Sequence, residues 1–105
     1  MTTFDDRKDA FEKKHAHDEE LAFKAVARRN KLLGQWVAGQ LGLSGAEADA
    51  YAKTVVEADF EEAGDADVIR KVQADLKAKG IEMSDHRIMV KLAELLVEAQ
   101  KQLSA

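Results

Sequence analysis

The run Arg28-Arg29-Asn30-Lys31 is the most basic patch of the chain, and its residue types suit the binding of an anion. A guanidinium presents a planar fork of donors that meets a phosphate or a carboxylate at two points at once. Helical geometry nevertheless separates the four residues. At 100° per residue Lys31 points away from the apolar stripe of its helix, Arg28 lies at the edge, and Arg29 projects into the centre between Ala22 and Trp36. A charge on a core face needs a partner, because an unpaired buried ion is costly. Two readings follow. In one, Arg29 with Arg28 receives a nucleotide phosphate, and Arg28, Arg29, Asn30, Lys31 and Trp36 form a nucleotide-binding set in which Trp36 stacks on adenine. In the other, Arg29 closes an internal ion pair with an acid such as Asp59, which falls on the apolar side of its own helix. Trp36, like Tyr51, is then a core aromatic. Buried charges are normally paired, which favours the second reading.

Other constellations support less. His15 and His17 are separated by one residue and do not share a helix face, and His86 lies far away in the chain, so no metal site is expected. Glu61-Glu62-Ala63-Gly64-Asp65-Ala66-Asp67 has the composition of a calcium loop without its alternating ligands or terminal glutamate, and reads as a charged interhelical loop. Asp18-Glu19-Glu20 reads as a solvated acidic face, with a helix hinge as the alternative. No serine, histidine and acid gather into a triad, and the glycines fall near helix ends rather than in a phosphate-binding loop. An enzyme is not expected, and no cofactor is required.

Composition sets the outer limits. A chain of 105 residues fits one small domain with little room for a deep cleft. The absence of cysteine excludes disulfides and the usual cysteine zinc sites. A net charge of -4 argues against a dedicated nucleic-acid binder. No apolar run approaches the roughly 20 residues of a membrane helix, so direct membrane insertion is not expected. Met-Thr-Thr-Phe-Asp-Asp is acidic where a signal peptide would be basic, which points to the cytoplasm.

The elements that carry these residues are helices. Proline is absent and glycines number six, so turns are few. Ser44, with Glu47 three residues on and Leu43 placed against Ala48, forms a capping box with its apolar staple. Asp65 or Gly64 opens a helix whose Ile69, Val72 and Leu76 share a face; Gly80 ends it, with Ile81 placed for the contact that follows a glycine cap. Ser84 starts a last helix with Ile88, Leu92, Leu95, Leu96, Ala99 and Leu103 at helical spacing. In the first helix Ala22, Ala25, Val26, Leu32, Leu33, Trp36 and Val37 share a broad stripe, opposite Lys24, Ala27, Lys31, Gly34 and Ala38, and Gly42 is its expected end. The spacing predicts an all-α four-helix bundle over residues 19–105, with helices at about 19–41, 45–61, 65–79 and 85–103.

Residues 1–18 continue the first helix backwards without a core of their own. Thr3-Phe4-Asp5-Asp6 matches a capping box with acids in the first turn. Phe4 and Phe11 land on the stripe of Ala22 and Trp36, amid a balanced set of charges such as Asp9 and Lys13. Two phenylalanines bury too little to offset ordering costs of about 1–2 kcal/mol per residue. The segment is therefore expected to be frayed or disordered when free and helical in a partner's groove.

Several of these residues carry a resemblance. Phe4-Asp5-Asp6-Arg7, Ala16-His17-Asp18-Glu19-Glu20-Leu21, Phe23-Lys24-Ala25 and above all Ala27-Arg28-Arg29-Asn30-Lys31-Leu32-Leu33-Gly34 with Trp36 resemble the zeta subunits of alpha-proteobacterial F-type ATP synthases. The match continues through Leu41-Gly42, Ala50-Tyr51-Ala52, Val55-Val56, Asp59-Phe60, Gly64-Asp65, Asp67-Val68 and Arg70-Lys71. It covers nearly the whole chain, least diagnostically in the last helix.

The resemblance implies a four-helix bundle that inhibits ATP hydrolysis by the synthase. Its N-terminal segment would enter a catalytic interface between alpha and beta subunits, with the alpha, beta and gamma subunits of the catalytic head as partners. Phe4, Asp5, Asp6, Arg7, Lys8, Phe11, Lys14, His15 and His17 would carry the insertion. The bundle would take ADP or ATP as a regulatory ligand, and the protein would lie on the cytoplasmic side, peripheral to the inner membrane through the synthase. Two positions depart from the family pattern. His15 stands where an aromatic residue is usual, which weakens the apolar stripe and adds a group that titrates near pH 6.5. Inhibition weaker at high pH than that of a relative with phenylalanine is the expected consequence. Ala63 stands where a proline often precedes Gly64-Asp65, which should loosen that loop slightly. The alternatives to inhibition are a soluble helical-bundle nucleotide-binding regulator and an adaptor of another complex.

Overall fold

The computed structural model describes the backbone of residues 3–59 and 64–104, with side chains from Asp18 onward. Four helices follow in order: α1 (Thr3–Gln40), α2 (Gly45–Ala58), α3 (Ala66–Ala78) and α4 (Asp85–Ser104). Among the described residues there is no strand. α1 is the shared element, packing on α2 along one side and on α4 along another. α3 lies against all three, while α2 and α4 share no contact among the described residues.

The core gathers at the meeting of these helices. Leu33 and Val37 of α1, Val55 of α2, Val68, Val72 and Leu76 of α3, and Ile88 and Leu92 of α4 are buried together. Trp36, Tyr51, Ile69, Ile81 and Leu95 pack around them. Fully burying one such aliphatic side chain contributes about 1.5–3 kcal/mol, so eight of them are enough to hold a domain of this size.

The helix ends follow their chemistry in most places. Gly42 adopts a φ of +82° and lets Leu43 N–H donate to Ala38 O at 2.9 Å. Gly80, at φ +79°, does the same after α3, where Ile81 N–H donates to Leu76 O at 2.9 Å. A residue with a Cβ is strained at such angles, which is why glycine ends both helices. Ser84 Oγ accepts from Arg87 N–H at 3.1 Å and so caps α4. Ser44 departs from the expectation: it takes the extended backbone of an N-cap but makes no side-chain capping bond. α2 stops at Ala58 with Asp59 as its C-cap, short of the expected end near residue 61, and Glu61, Glu62 and Ala63 lie outside the described residues.

A further difference concerns the polar side assigned to α1. The helical pattern sets Gly34 and Ala38 opposite the apolar stripe, yet Ala38 is fully buried and Gly34 is buried against α2. A Cβ added at Gly34 would lie 2.5 Å from Ala52 Cα, inside any permitted contact. Small residues score as weakly apolar in a hydropathy pattern, but they are what allows two helix backbones to approach. α1 therefore buries more than its stripe of large residues, and at Gly34 the missing side chain is what lets α2 approach.

Candidate functional site

α1 is the element from which a site can be built, because it runs 38 residues and only part of it is covered. Asp18 to Lys24 are all exposed, Phe23 among them at 62%, and burial begins at Ala25. A helix of that length spans about 57 Å at 1.5 Å per residue, which accounts for principal extents of 65 × 25 × 21 Å. The backbone stays helical through Asp18-Glu19-Glu20, and all three residues are exposed. The side chains of Phe4, Asp5, Asp6, Arg7, Lys8, Phe11, Lys14, His15 and His17 lie outside the described residues, on the projecting part of α1.

One turn beyond Ala25, α1 is clamped by a buried polar cluster. Arg29 donates from Nη2 to Asp65 Oδ1 at 2.7 Å and from Nη1 to Asp65 Oδ2 at 3.4 Å. It also donates from Nε and Nη2 to Asn30 Oδ1 at 3.1 and 2.9 Å. The internal ion pair expected for Arg29 is thus formed, but with Asp65 rather than Asp59. Asp65 is the N-cap of α3, and its carboxylate turns to the guanidinium instead of bonding the first turn of that helix. Asp59 stands beside the cluster. Burial first, and then the Asp67 charge, push its carboxyl above the usual range, while Arg29 and Asn30 pull it down.

Asn30 is fully buried, and its Nδ2 forms no hydrogen bond of good geometry among the described residues; the Asp59 carboxyl, which Asn30 pulls down, is the acceptor it approaches. Asn30 lines a cavity of about 30 Å³ together with Phe23, Val26, Ala27, Val56 and Asp59. Asp67, also buried, accepts Val68 N–H at 2.9 Å. Burial of Asn30 and Asp67 was not legible in the hydropathy pattern, since polar residues are placed there by the approach of α2 and α3 and not by periodicity.

The five residues of the candidate nucleotide set do not converge. Arg28 is exposed and donates to Gln102 Oε1 at 3.0 Å, toward the C-terminal end of α4. Arg29 and Asn30 face the start of α3 and the end of α2, Lys31 is exposed, and Trp36 lies two turns further on. Trp36 meets two cations that the sequence reading missed. Lys91 Nζ stands 5.0 Å and the Arg87 guanidinium 5.7 Å from the centre of an indole ring. They share a cleft of about 140 Å³ with Val90 and Glu94. Arg87 and Lys91 are one helical turn apart, but only the antiparallel docking of α4 on α1 brings them to the tryptophan. Arg29 and Asp65 form the polar end of a second groove, about 370 Å³, walled by Ile69, Met89, Leu92 and Leu96.

Tyr51 packs at the rim of the core and ties α2 to α3. Its hydroxyl donates to Asp75 Oδ2 at 2.7 Å, and Lys71 Nζ donates to the same oxygen at 2.8 Å from above the ring. Burial, and then the bond to Asp75, raise the Tyr51 hydroxyl far above its usual range, so the phenol stays a donor. Among the described residues no three acids or histidines are placed to hold a metal ion, and no helix is long and apolar enough to cross a membrane.

Fold and site together define a small helical bundle that extends one of its own core helices beyond the domain, an arrangement suited to binding and regulation. The family model described as ATPase inhibitor subunit zeta matches residues 1–102, and the chain belongs to that family. Its role is that of an ATPase inhibitor, a regulatory protein that associates with an ATP synthase. A solved structure, titled "Solution NMR structure of the protein", is 54% identical, with a TM-score of 0.70 over 78% of this chain and 93% of that one. No curated protein matches.

Proposed function

We propose that the protein blocks ATP hydrolysis by an F-type synthase by inserting the N-terminal part of α1 into a catalytic interface between alpha and beta subunits, against gamma. The observation that carries this reading is the division of α1: burial begins at Ala25, the stretch from Asp18 to Lys24 is exposed, and the helix backbone continues back from there to Thr3. A helix already rooted in a folded domain enters a groove with less ordering cost than a free peptide, because its C-terminal end is fixed. Phe4 and Phe11, on the stripe shared with Ala22 and Trp36, supply the apolar anchors. Arg7, Lys8 and Lys14, with Asp5 and Asp6, supply the charge pattern. The backbone of this segment is helical from Thr3, but its sequence offers little to offset the ordering cost, so a groove that takes Phe4 and Phe11 would hold a helix that is otherwise weakly supported. The site of action is the cytoplasmic face, where the protein is peripheral to the inner membrane through the synthase.

The deciding experiment is a truncation. The chain starting at residue 19 should fold normally and fail to inhibit ATP hydrolysis by the purified enzyme; inhibition equal to that of the full chain overturns the reading.

ADP or ATP binding to the bundle is a second proposal, favoured by the groove at Arg29. Its volume of about 370 Å³ is within the range of small-molecule sites. A phosphate there would have to displace Asp65 from Arg29, so binding would act on the clamp that holds α1. ADP-dependent NMR shifts at Ile69 and Met89 that vanish in Arg29→Met support this role, and shifts that persist in that variant end it.

A further inference from the structure

We propose that the outer face of α4 is the contact surface of a weak two-fold dimer, in which two copies of the chain pair these helices antiparallel. α4 carries two rows of residues at helical spacing. The inner row, Ile88, Leu92, Leu95 and Ala99, is buried in the bundle or packed against its core. The outer row, His86, Val90, Ala93 and Val97, advances by four, three and four residues, the spacing of a coiled-coil seam. All four are exposed. Of the five large apolar side chains exposed among the described residues, three lie here: Val90 at 45% and Val97 at 52% in the row, and Met89 at 52% beside it.

The residues flanking the row identify the occupant. Arg87, Glu94 and Lys101 stand seven residues apart along one edge, and Met89, Leu96 and Leu103 along the other. When two such helices pair antiparallel, each edge meets its own copy; when they pair parallel, each meets the opposite edge. Parallel pairing sets charges against Met89 and Leu96, which is unfavourable. Antiparallel pairing joins the apolar edges and leaves the charged edges to fix the register. With Val90 opposite Ala93 of the second copy, Arg87 meets Glu94 of the second copy, and Met89 meets Leu96. The two-fold axis repeats each contact. A slip of seven residues sets Glu94 against Glu94 and Arg87 against Lys101, all like charges. A second slip pairs Glu94 with Lys101 but leaves Val90 outside the seam. One register therefore satisfies both the apolar row and the charges.

The side chains are available for it. Arg87 lies over Trp36 at 5.7 Å and has no carboxylate partner among the described residues. Glu94 is 61% exposed, and Lys91 approaches it only to 3.4 Å. Four seam residues per copy cover less than the roughly 1,200 Å² of a stable interface, so the dissociation constant falls on the order of 0.1–1 mM. Because α4 runs antiparallel to α1, the projecting halves of the two copies point to opposite ends of the dimer, clear of the contact. The pairing does not depend on the proposed insertion into the synthase.

The test uses the full chain without ATP synthase, so its outcome is separate from that of the truncation assay. Sedimentation from about 10 µM to about 1 mM should show monomer passing to dimer and no larger species. NMR shifts that change with concentration should fall on residues 86–97. Val97→Glu should abolish the dimer. Glu94→Lys makes the charged edge wholly positive and should weaken it about tenfold. Arg87→Glu should weaken it likewise, and an equimolar mixture of the two variants should recover native affinity, because the reversed charges then face one another. A chain that stays monomeric at about 1 mM overturns the proposal and leaves the face to a partner of other sequence. A dimer that survives Val97→Glu or Glu94→Lys overturns it too, as does a mixture no tighter than its components. Should Arg87→Glu disturb Trp36, the other two variants decide.

Discussion

Arg29 places a permanent charge at a position only 7% exposed, while the Asp65 carboxylate that answers it is 45% exposed. This asymmetry sets the cost of breaking the pair. Replacing Arg29 with methionine leaves an acid that water can still reach, so the loss comes mainly from Asn30 Oδ1, whose two donors disappear. Urea unfolding should show a loss of about 1–3 kcal/mol, below the 3–5 kcal/mol typical when a fully buried ion is stranded. The same variant should raise the Asp59 midpoint further, since the guanidinium is the largest influence that lowers it; carboxyl NMR checks this, and a midpoint that falls contradicts the electrostatic account. That Arg29 needs a partner was legible from its place on the stripe. The partner itself was not, because Asp59 and Asp65 flank the same connection and the lie of α3 decides which one reaches the guanidinium. The same limit applied to Trp36, whose two cations belong to a helix that sequence alone could not orient.

Two glycines of α1 with opposite surroundings separate helix propensity from packing. A Cβ added at Gly39 would meet nothing within 4 Å, so Gly39→Ala should gain about 0.5–1 kcal/mol from the better helix former. At Gly34 the added Cβ would come within 2.5 Å of the Ala52 backbone, which cannot rotate away. Gly34→Ala should therefore lose about 1–3 kcal/mol despite the same propensity gain, and thermal unfolding of both variants tests the pair. If both stabilise, the close α1–α2 approach is wrong. Helix number, order and most ends were legible because capping is local: Gly42, Gly80 and Ser84 each act within one turn of their own position. That α1 buries more than its stripe of large residues was not legible. Gly34 and Ala38 carry little hydropathy, and only the neighbouring backbone shows what their smallness is for.

The molecule is longer than its mass requires. Its radius of gyration is 17.5 Å, against about 13 Å for a compact chain of this length. Small-angle scattering on the chain starting at residue 19 should give about 12 Å, with a cooperative unfolding transition little changed, because the core begins beyond that point. A large loss of stability would mean that the projecting half also supports the bundle. Because the helix that leaves the domain is also the one around which it is assembled, any adjustment at its root is geared. From Asn30 to Thr3 the rod measures about 40 Å at 1.5 Å per residue, so a tilt of about 5° at the clamp would swing the tip by about 3.5 Å. A shift that size is a whole side-chain contact for an anchor such as Phe4, though at the fulcrum it would amount to no more than a changed hydrogen bond.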